Sequence, residues 1–310
     1  MNKVKVRPLE FAVGENEYDL FIYCVGYEAR ASFIASKLDD RARACIAFAY
    51  ASRKDHSYTS NLQFTKRAGH MLFSADDNAG EKVSRYLQDF AIRAGSLPKI
   101  AIDISSMDRT LMGGIYLACL QNTHLWNAID ILYAPAKYTD PSFTFLPVAA
   151  EVPVLPELSG RIRGPYVKTT LIVGLGYEYG VALGVIEKFE PDQLFAFRPT
   201  GTDKRFEDSI KRANFDFDFQ PTTRLIDYDV TTPYQLFYDL YDITRGLIDY
   251  TEIIIAPGGP KIFSMVAIII GLLLYPEVCV WRVSIRGAET GGNVVASGDV
   301  YGLTIEPAKD

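Results

Sequence analysis

Two short runs of residues, each present twice, are the places where this chain could do chemistry. Gly26-Tyr27-Glu28 closes the apolar run that starts at Leu20, and Gly176-Tyr177-Glu178 closes the one that starts at Leu171. A second pair of turns lies farther along. Ser105, Ser106, Asp108 and Arg109 follow "IAIDI", while Gly258, Gly259 and Lys261 follow "IIIAP". These second turns offer small residues that leave backbone amides accessible, plus one cation where a long apolar helix should begin. The positive end of a helix repels a cation, and a bound anion would relieve that repulsion. Phosphate binding is therefore the chemistry to expect. Tyr27 and Tyr177 could stack on a base or bond a hydroxyl, Glu28 and Glu178 suit helix starts, and Gly26 and Gly176 would allow a tight turn or the approach of a ligand. Asp103, at the end of its strand, reads as the cap of its turn ahead of an acid or base.

The spacing of these runs repeats as well as their composition. The two Gly-Tyr-Glu triplets are offset by 150 residues; Gly26 precedes Ser105 by 79 residues and Gly176 precedes Gly258 by 82. Two strand–turn–helix junctions at matched spacing imply internal duplication. The second turns have diverged, Ser-Ser with arginine in one and Gly-Gly with lysine in the other, so the expectation is one asymmetric site rather than two equal ones.

The elements that would hold these turns alternate in kind. In the first half, strands are expected near Asp19 to Val25, Ala44 to Tyr50, Ile100 to Ile104 and Ile129 to Tyr133, with helices near Arg30 to Lys37, Asn78 to Arg93 and Thr110 to Gln121. In the second, strands fall near Thr169 to Val173, Gln193 to Phe197, Thr251 to Ile255 and Val278 to Ser284. Its helices fall near Gly180 to Lys188, Phe206 to Ala213, Pro233 to Tyr250 and Ile262 to Leu274. Alternating strands and helices imply a mainly parallel sheet with right-handed crossovers. The fold class is thus α/β, with two tandem Rossmann-like domains at residues 1–150 and 168–310. The Pro- and Gly-rich stretch between them, 151–167, reads as a linker, and a C-terminal hairpin from Gly292 to Glu306 as an edge of the second domain.

Composition narrows the function classes. The 310 residues are 48% hydrophobic and 23% charged, as in a folded soluble chain of two domains, and the net charge of −6 argues against a broad grip on duplex nucleic acid. Four cysteines without CxxC spacing read as reduced thiols in a cytoplasmic protein. The N-terminus has no apolar leader, and Ile262 to Tyr275 is too short to span a bilayer. No GxxxxGK[ST] or HExxH is present, Gly174-Leu175-Gly176 lacks the third glycine of a dinucleotide fingerprint, and His56, His70 and His124 have no nucleophile setting. No metal or cofactor is expected. Loops after the second strands carry Arg53, Lys54 and His56 in one half and Arg198, Thr200, Thr202, Lys204 and Arg205 in the other, positive charge that would suit a phosphate-rich ligand.

"DISSMDRTLMGG" and "APGGPKIFSM" resemble the "D-[ST]-G-G-T-K" region of CRISPR-associated Rossmann-fold (CARF) sensor domains, and a tandem copy looks like the SAVED sensors of bacterial anti-phage systems. The resemblance implies ligand sites over strand ends that take cyclic oligonucleotides, here through Gly26, Tyr27, Glu28, Ser105, Ser106 and Arg109, and through Gly176, Tyr177, Glu178, Gly258, Gly259 and Lys261. Ser-Ser-Met-Asp-Arg departs from Gly-Gly-Thr-Lys, and Pro260 stands where threonine is usual. No effector module accompanies the motifs, so the resemblance implies a separate effector protein. The same residues admit two other readings: a metal-independent phosphodiesterase acting on such a nucleotide, and a non-catalytic scaffold subunit of a defence complex.

Overall fold

The computed structural model describes residues 4–11, 15–52, 54–76, 78–141, 148–161, 164, 166–178, 180–215, 223–285 and 292–308. The chain forms two compact units: Met1–Lys137 with Thr290–Asp310, and Tyr138–Glu289. Each is an α/β unit built on one mostly parallel sheet.

The first unit contains β1 (Val4–Pro8), β2 (Leu20–Val25), α1 (Phe33–Leu38), β3 (Cys45–Ala49), α2 (Tyr58–Arg67), β4 (Met71–Ser74), α3 (Ala79–Ala94), β5 (Lys99–Asp103), α4 (Arg109–Gln121) and β6 (Ala128–Tyr133). The second contains β7 (Val148–Pro153), β8 (Thr169–Gly174), α5 (Val181–Phe189), β9 (Gln193–Thr200), α6 (Lys204–Ala213), β10 (Thr223–Asp229), α7 (Pro233–Leu247), β11 (Glu252–Ala256), α8 (Lys261–Leu273) and β12 (Val278–Ile285). A last strand, β13 (Tyr301–Pro307), returns to the first unit.

The sheets are ordered β1-β13-β6-β5-β2-β3-β4 and β10-β9-β8-β11-β12-β7. Numbered by position in its own repeat, each parallel core reads 3-2-1-4-5, the Rossmann order: β4-β3-β2-β5-β6 and β10-β9-β8-β11-β12. The duplicated motifs therefore sit on a duplicated topology. Strand β2 is buried along its whole length, as expected of a central parallel strand covered on both faces. On one face of the first sheet, Phe21, Tyr23, Ala47 and Leu132 pack with Ile34 and Leu38 of α1 and Tyr58 of α2; Leu171, Val173 and Ala196 pack likewise with Val185 of α5 and Ile210 of α6. Helix α8 is buried from Ile262 to Gly271, matching its reading as a core helix.

The domain boundaries expected from sequence need correction. The C-terminal segment is no edge hairpin of the second unit. Strand β13 lies inside the first sheet, antiparallel to both β1 and β6, and Ala296 bridges Ala136. Its polar register residue, Thr304, stands opposite Asp130 and donates a 2.6 Å hydrogen bond to that carboxylate, while a side chain at Gly302 would collide with the Ile131 carbonyl. The expected linker likewise contributes structure: β7 pairs antiparallel with β12 and ends on Pro153, a residue that an edge strand tolerates. Each fifth parallel strand is thus flanked by an antiparallel one, drawn from the chain terminus in one unit and from the inter-repeat segment in the other.

Candidate functional site

In the 3-2-1-4-5 order, crossovers leave strands one and four in opposite directions, and the crevice at their carboxyl ends is the usual ligand position of open α/β sheets. Here that means the turns after β2 and β5, and those after β8 and β11. The two pairs of turns singled out in the sequence fall at these two switch points.

In the first unit the turns touch. A Cβ at Gly26 would stand 2.7 Å from Ser106 Cβ, so the glycine makes room for the neighbouring turn rather than for an open approach. Buried Asn61, on α2, donates to the carbonyls of Gly26 (2.9 Å) and Glu28 (2.8 Å) and accepts from the Ser32 hydroxyl. Glu28 does not cap its helix. Its carboxylate takes both Nε (2.7 Å) and Nη2 (3.4 Å) of Arg30, in a pair whose side chains are 13% and 7% exposed. Arg30 also donates to the Ala134 carbonyl and lies over the Tyr133 ring. Burial alone would lower the Arg30 pKa, yet Tyr133 and Glu28 hold the guanidinium above its ordinary value. Glu28 is thereby committed to the interior.

The second turn of this unit is also internally satisfied. Asp103 accepts from the Ser105 amide at 2.8 Å, the turn cap expected of it. Ser105 is fully buried, and its hydroxyl accepts from the Ala134 amide at 2.8 Å, fastening the turn to the end of β6. Asp108 is the N-cap of α4, its carboxylate accepting from the Leu111 amide at 2.8 Å, and its own amide donates to the Tyr50 hydroxyl at 2.7 Å. A carboxylate of the chain already occupies the positive end of this helix. Arg109 is the first helical residue and half-buried; Tyr27 packs on the core beneath, 6.1 Å from the His56 ring.

The second unit makes the same contact with glycines on both sides. A Cβ at Gly174 would meet the Phe263 ring and the Gly258 carbonyl at 2.6 and 2.7 Å; one at Gly258 would collide with the Gly174 carbonyl, and one at Gly259 with that of Leu175. Gly259 also has φ +67°, a conformation suited to glycine. Asn214, just past α6, donates to the Gly176 carbonyl at 2.9 Å, doing for this turn what Asn61 does for the first. Helix α8 starts at Lys261 behind Pro260, whose side chain offers no cap. Tyr177 is exposed and leans toward Phe206 at 6.2 Å, and Glu178 is half-buried.

The basic loops are largely neutralised. Arg198 forms a bidentate pair with Asp227 (2.6 and 2.9 Å), Arg205 pairs with Asp203, and Lys204 lies 3.8 Å from Glu207. Thr200 donates to the Tyr228 carbonyl. Lys54 and His56 are exposed, and Arg53 lies outside the described residues. His70 is held inside between Tyr23 (2.9 Å) and Asp39 (2.8 Å). Burial pushes the Cys45 and Cys119 thiols up to about 12 and Cys279 to about 11, so none is poised as a thiolate. Among the described residues no cluster of three or more His, Cys, Asp or Glu could hold a metal ion, and no helix is long and apolar enough to cross a membrane.

Asn61, Asn214 and Arg30 are the residues that sequence reading missed. The available signal was chemical: Asn61 stands in a helix, where asparagine competes with the backbone and needs a reason to be there.

No protein-family model matches the chain, and no curated protein matches it. Solved structures to which the chain is similar include a candidate universal stress protein from Pseudomonas aeruginosa UCBPP-PA14 (TM-score 0.27, 10% identity, 86% of this chain and 94% of that one). They also include the cytoplasmic domain of a prokaryotic cation chloride cotransporter (TM-score 0.25, 8% identity, 88% and 97%). A third is leucoanthocyanidin reductase from Vitis vinifera, solved with NADPH (TM-score 0.26, 10% identity, 84% and 92%). None of the three bears on what this chain binds.

Proposed function

We propose that the chain is a cytoplasmic nucleotide-sensing module of the kind its strand–turn–helix motifs resemble, the CARF and SAVED sensors, and that it passes its signal to a separate effector protein. The ligand phosphate sits at the turn between β11 and α8. One observation carries this reading: α8 starts without a side-chain cap, behind Gly258 and Gly259 and with Lys261 as its first residue, at the switch point of a Rossmann-ordered sheet. Helix amides at such a position favour an anion. Tyr177, exposed above the same sheet end, is the surface on which a base would stack. The first unit's turn, capped by Asp108 and tied down through Ser105, serves as support.

The test is isothermal titration of the chain against a panel of cyclic oligonucleotides and mononucleotides, with mass spectrometry of the recovered ligand. Binding of one panel member, recovered intact, is the expected result. Absence of binding to every member would remove the reading, and recovery of cleaved product would replace sensing by phosphodiesterase chemistry.

A further inference from the structure

The second unit carries a cavity of about 340 Å³ at the opposite end of its sheet, among the amino ends of β8 to β11. Its floor is polar and built. Thr170 and Thr251 are 1% and 4% exposed, their hydroxyls lie 3.1 Å apart, and Thr251 Oγ1 also donates to the Lys168 carbonyl at 2.5 Å. One wall is apolar, formed by Leu247 at the end of α7 and by Tyr250, a residue 79% exposed.

The rim is positive. Lys168 and Arg224 both line the cavity, and among the described residues neither has a carboxylate at ion-pair distance, whereas Arg161, Arg198, Lys204 and Arg205 of the same unit are all paired. The one acid of the lining, Asp192, accepts a hydrogen bond from the Thr169 amide at its Oδ2 (2.8 Å). Arg224 already lies 5.7 Å from the Phe195 ring centroid, stacking that leaves its edge donors for a planar anion. The first unit treats this end differently: there Lys99 Nζ is 3.2 Å from buried Asp130 and over the Tyr18 ring at 4.9 Å, a cation already consumed.

We propose that this cavity binds a small planar ring bearing a single anionic group, carboxylate or phosphate. The ring lies against Leu247 and Tyr250, and Lys168 and Arg224 hold the charge. Its volume is near the lower end for small-molecule sites, enough for one ring system and its charged group. The inference stands apart from the phosphate turn at α8, which occupies the other end of the sheet.

Titration of the full chain with benzoate and with phenyl phosphate, against neutral benzamide and phenol, tests it. At least one anionic ring should bind roughly tenfold tighter than its neutral counterpart, since the charge-assisted contacts are lost without the anion. Benzoate or phenyl phosphate as the better ligand then assigns the anion as carboxylate or phosphate. A Lys168→Ala/Arg224→Ala double variant, altered only at exposed positions, should lose at least roughly tenfold, and Lys211→Ala, at an exposed lysine outside the cavity lining, should leave the affinity unchanged. The proposal is overturned if neither anion binds, if the neutral rings bind equally well, if the double variant binds like wild type, or if Lys211→Ala weakens binding as much as the double variant.

Discussion

The two switch points share a topology and divide the work. In the first unit the polar groups of the crevice are spent on the fold itself: Glu28 on Arg30, Ser105 on Ala134, Asp108 on its own helix. In the second, backbone glycines bring the turns together and Pro260 leaves the helix start without a side-chain cap. A turn that supplies its own anion has little use for another. Duplication followed by capping of one copy is thus a physical route from two equal crevices to the single one proposed to bind.

Three pairs of substitutions probe the difference. The largest effect is expected at the glutamates. Glu28→Ala leaves Arg30 buried without its carboxylate and should cost about 3 kcal/mol, whereas Glu178→Ala, which breaks no ion pair among the described residues, should cost under about 0.5 kcal/mol. Urea unfolding midpoints report both, and equal losses would mean that the two triplets play one structural part. Next come the asparagines. Asn61→Ala removes two buried hydrogen bonds to the turn and should cost about 2 kcal/mol; Asn214→Ala, with one bond to its turn and a half-buried side chain, should cost about 1 kcal/mol. Hydrogen exchange in the turns would show the same ranking. Smallest are the caps: Asp108→Ala should lower stability by about 1 kcal/mol, and Pro260→Asp should recover a similar amount for α8 while filling the proposed phosphate position. A Pro260→Asp variant that bound nucleotide as well as wild type would break the comparison.

The central strands and long helices were legible because parallel strands covered on both faces must be nearly continuous in apolar residues, as "LFIYCV" and "EIIIA" are. Edge strands carry no such signature. β4 is only four residues long, and β10, "TRLIDYD", exposes most of its length, so neither stood out. The place of the C-terminal strand was hidden for a different reason: β13 pairs with β6, and the Thr304–Asp130 bond that accompanies the pairing is a match across 174 residues that no local pattern records. At the site, turn positions and glycines were visible, but which polar side chains were already engaged was not. Ser105 looks like a ligand contact until the Ala134 amide is found on its hydroxyl.

The claim that the second turn binds and the first supports is tested most directly by titrating one nucleotide ligand into wild type, Lys261→Ala and Arg109→Ala. Loss of the cation at the uncapped helix should weaken binding by roughly tenfold or more, as expected for a charge-assisted phosphate contact, while Arg109→Ala should stay within about twofold of wild type, a difference of under half a kcal/mol. The reverse ranking, with Arg109→Ala the more damaging, would contradict the account.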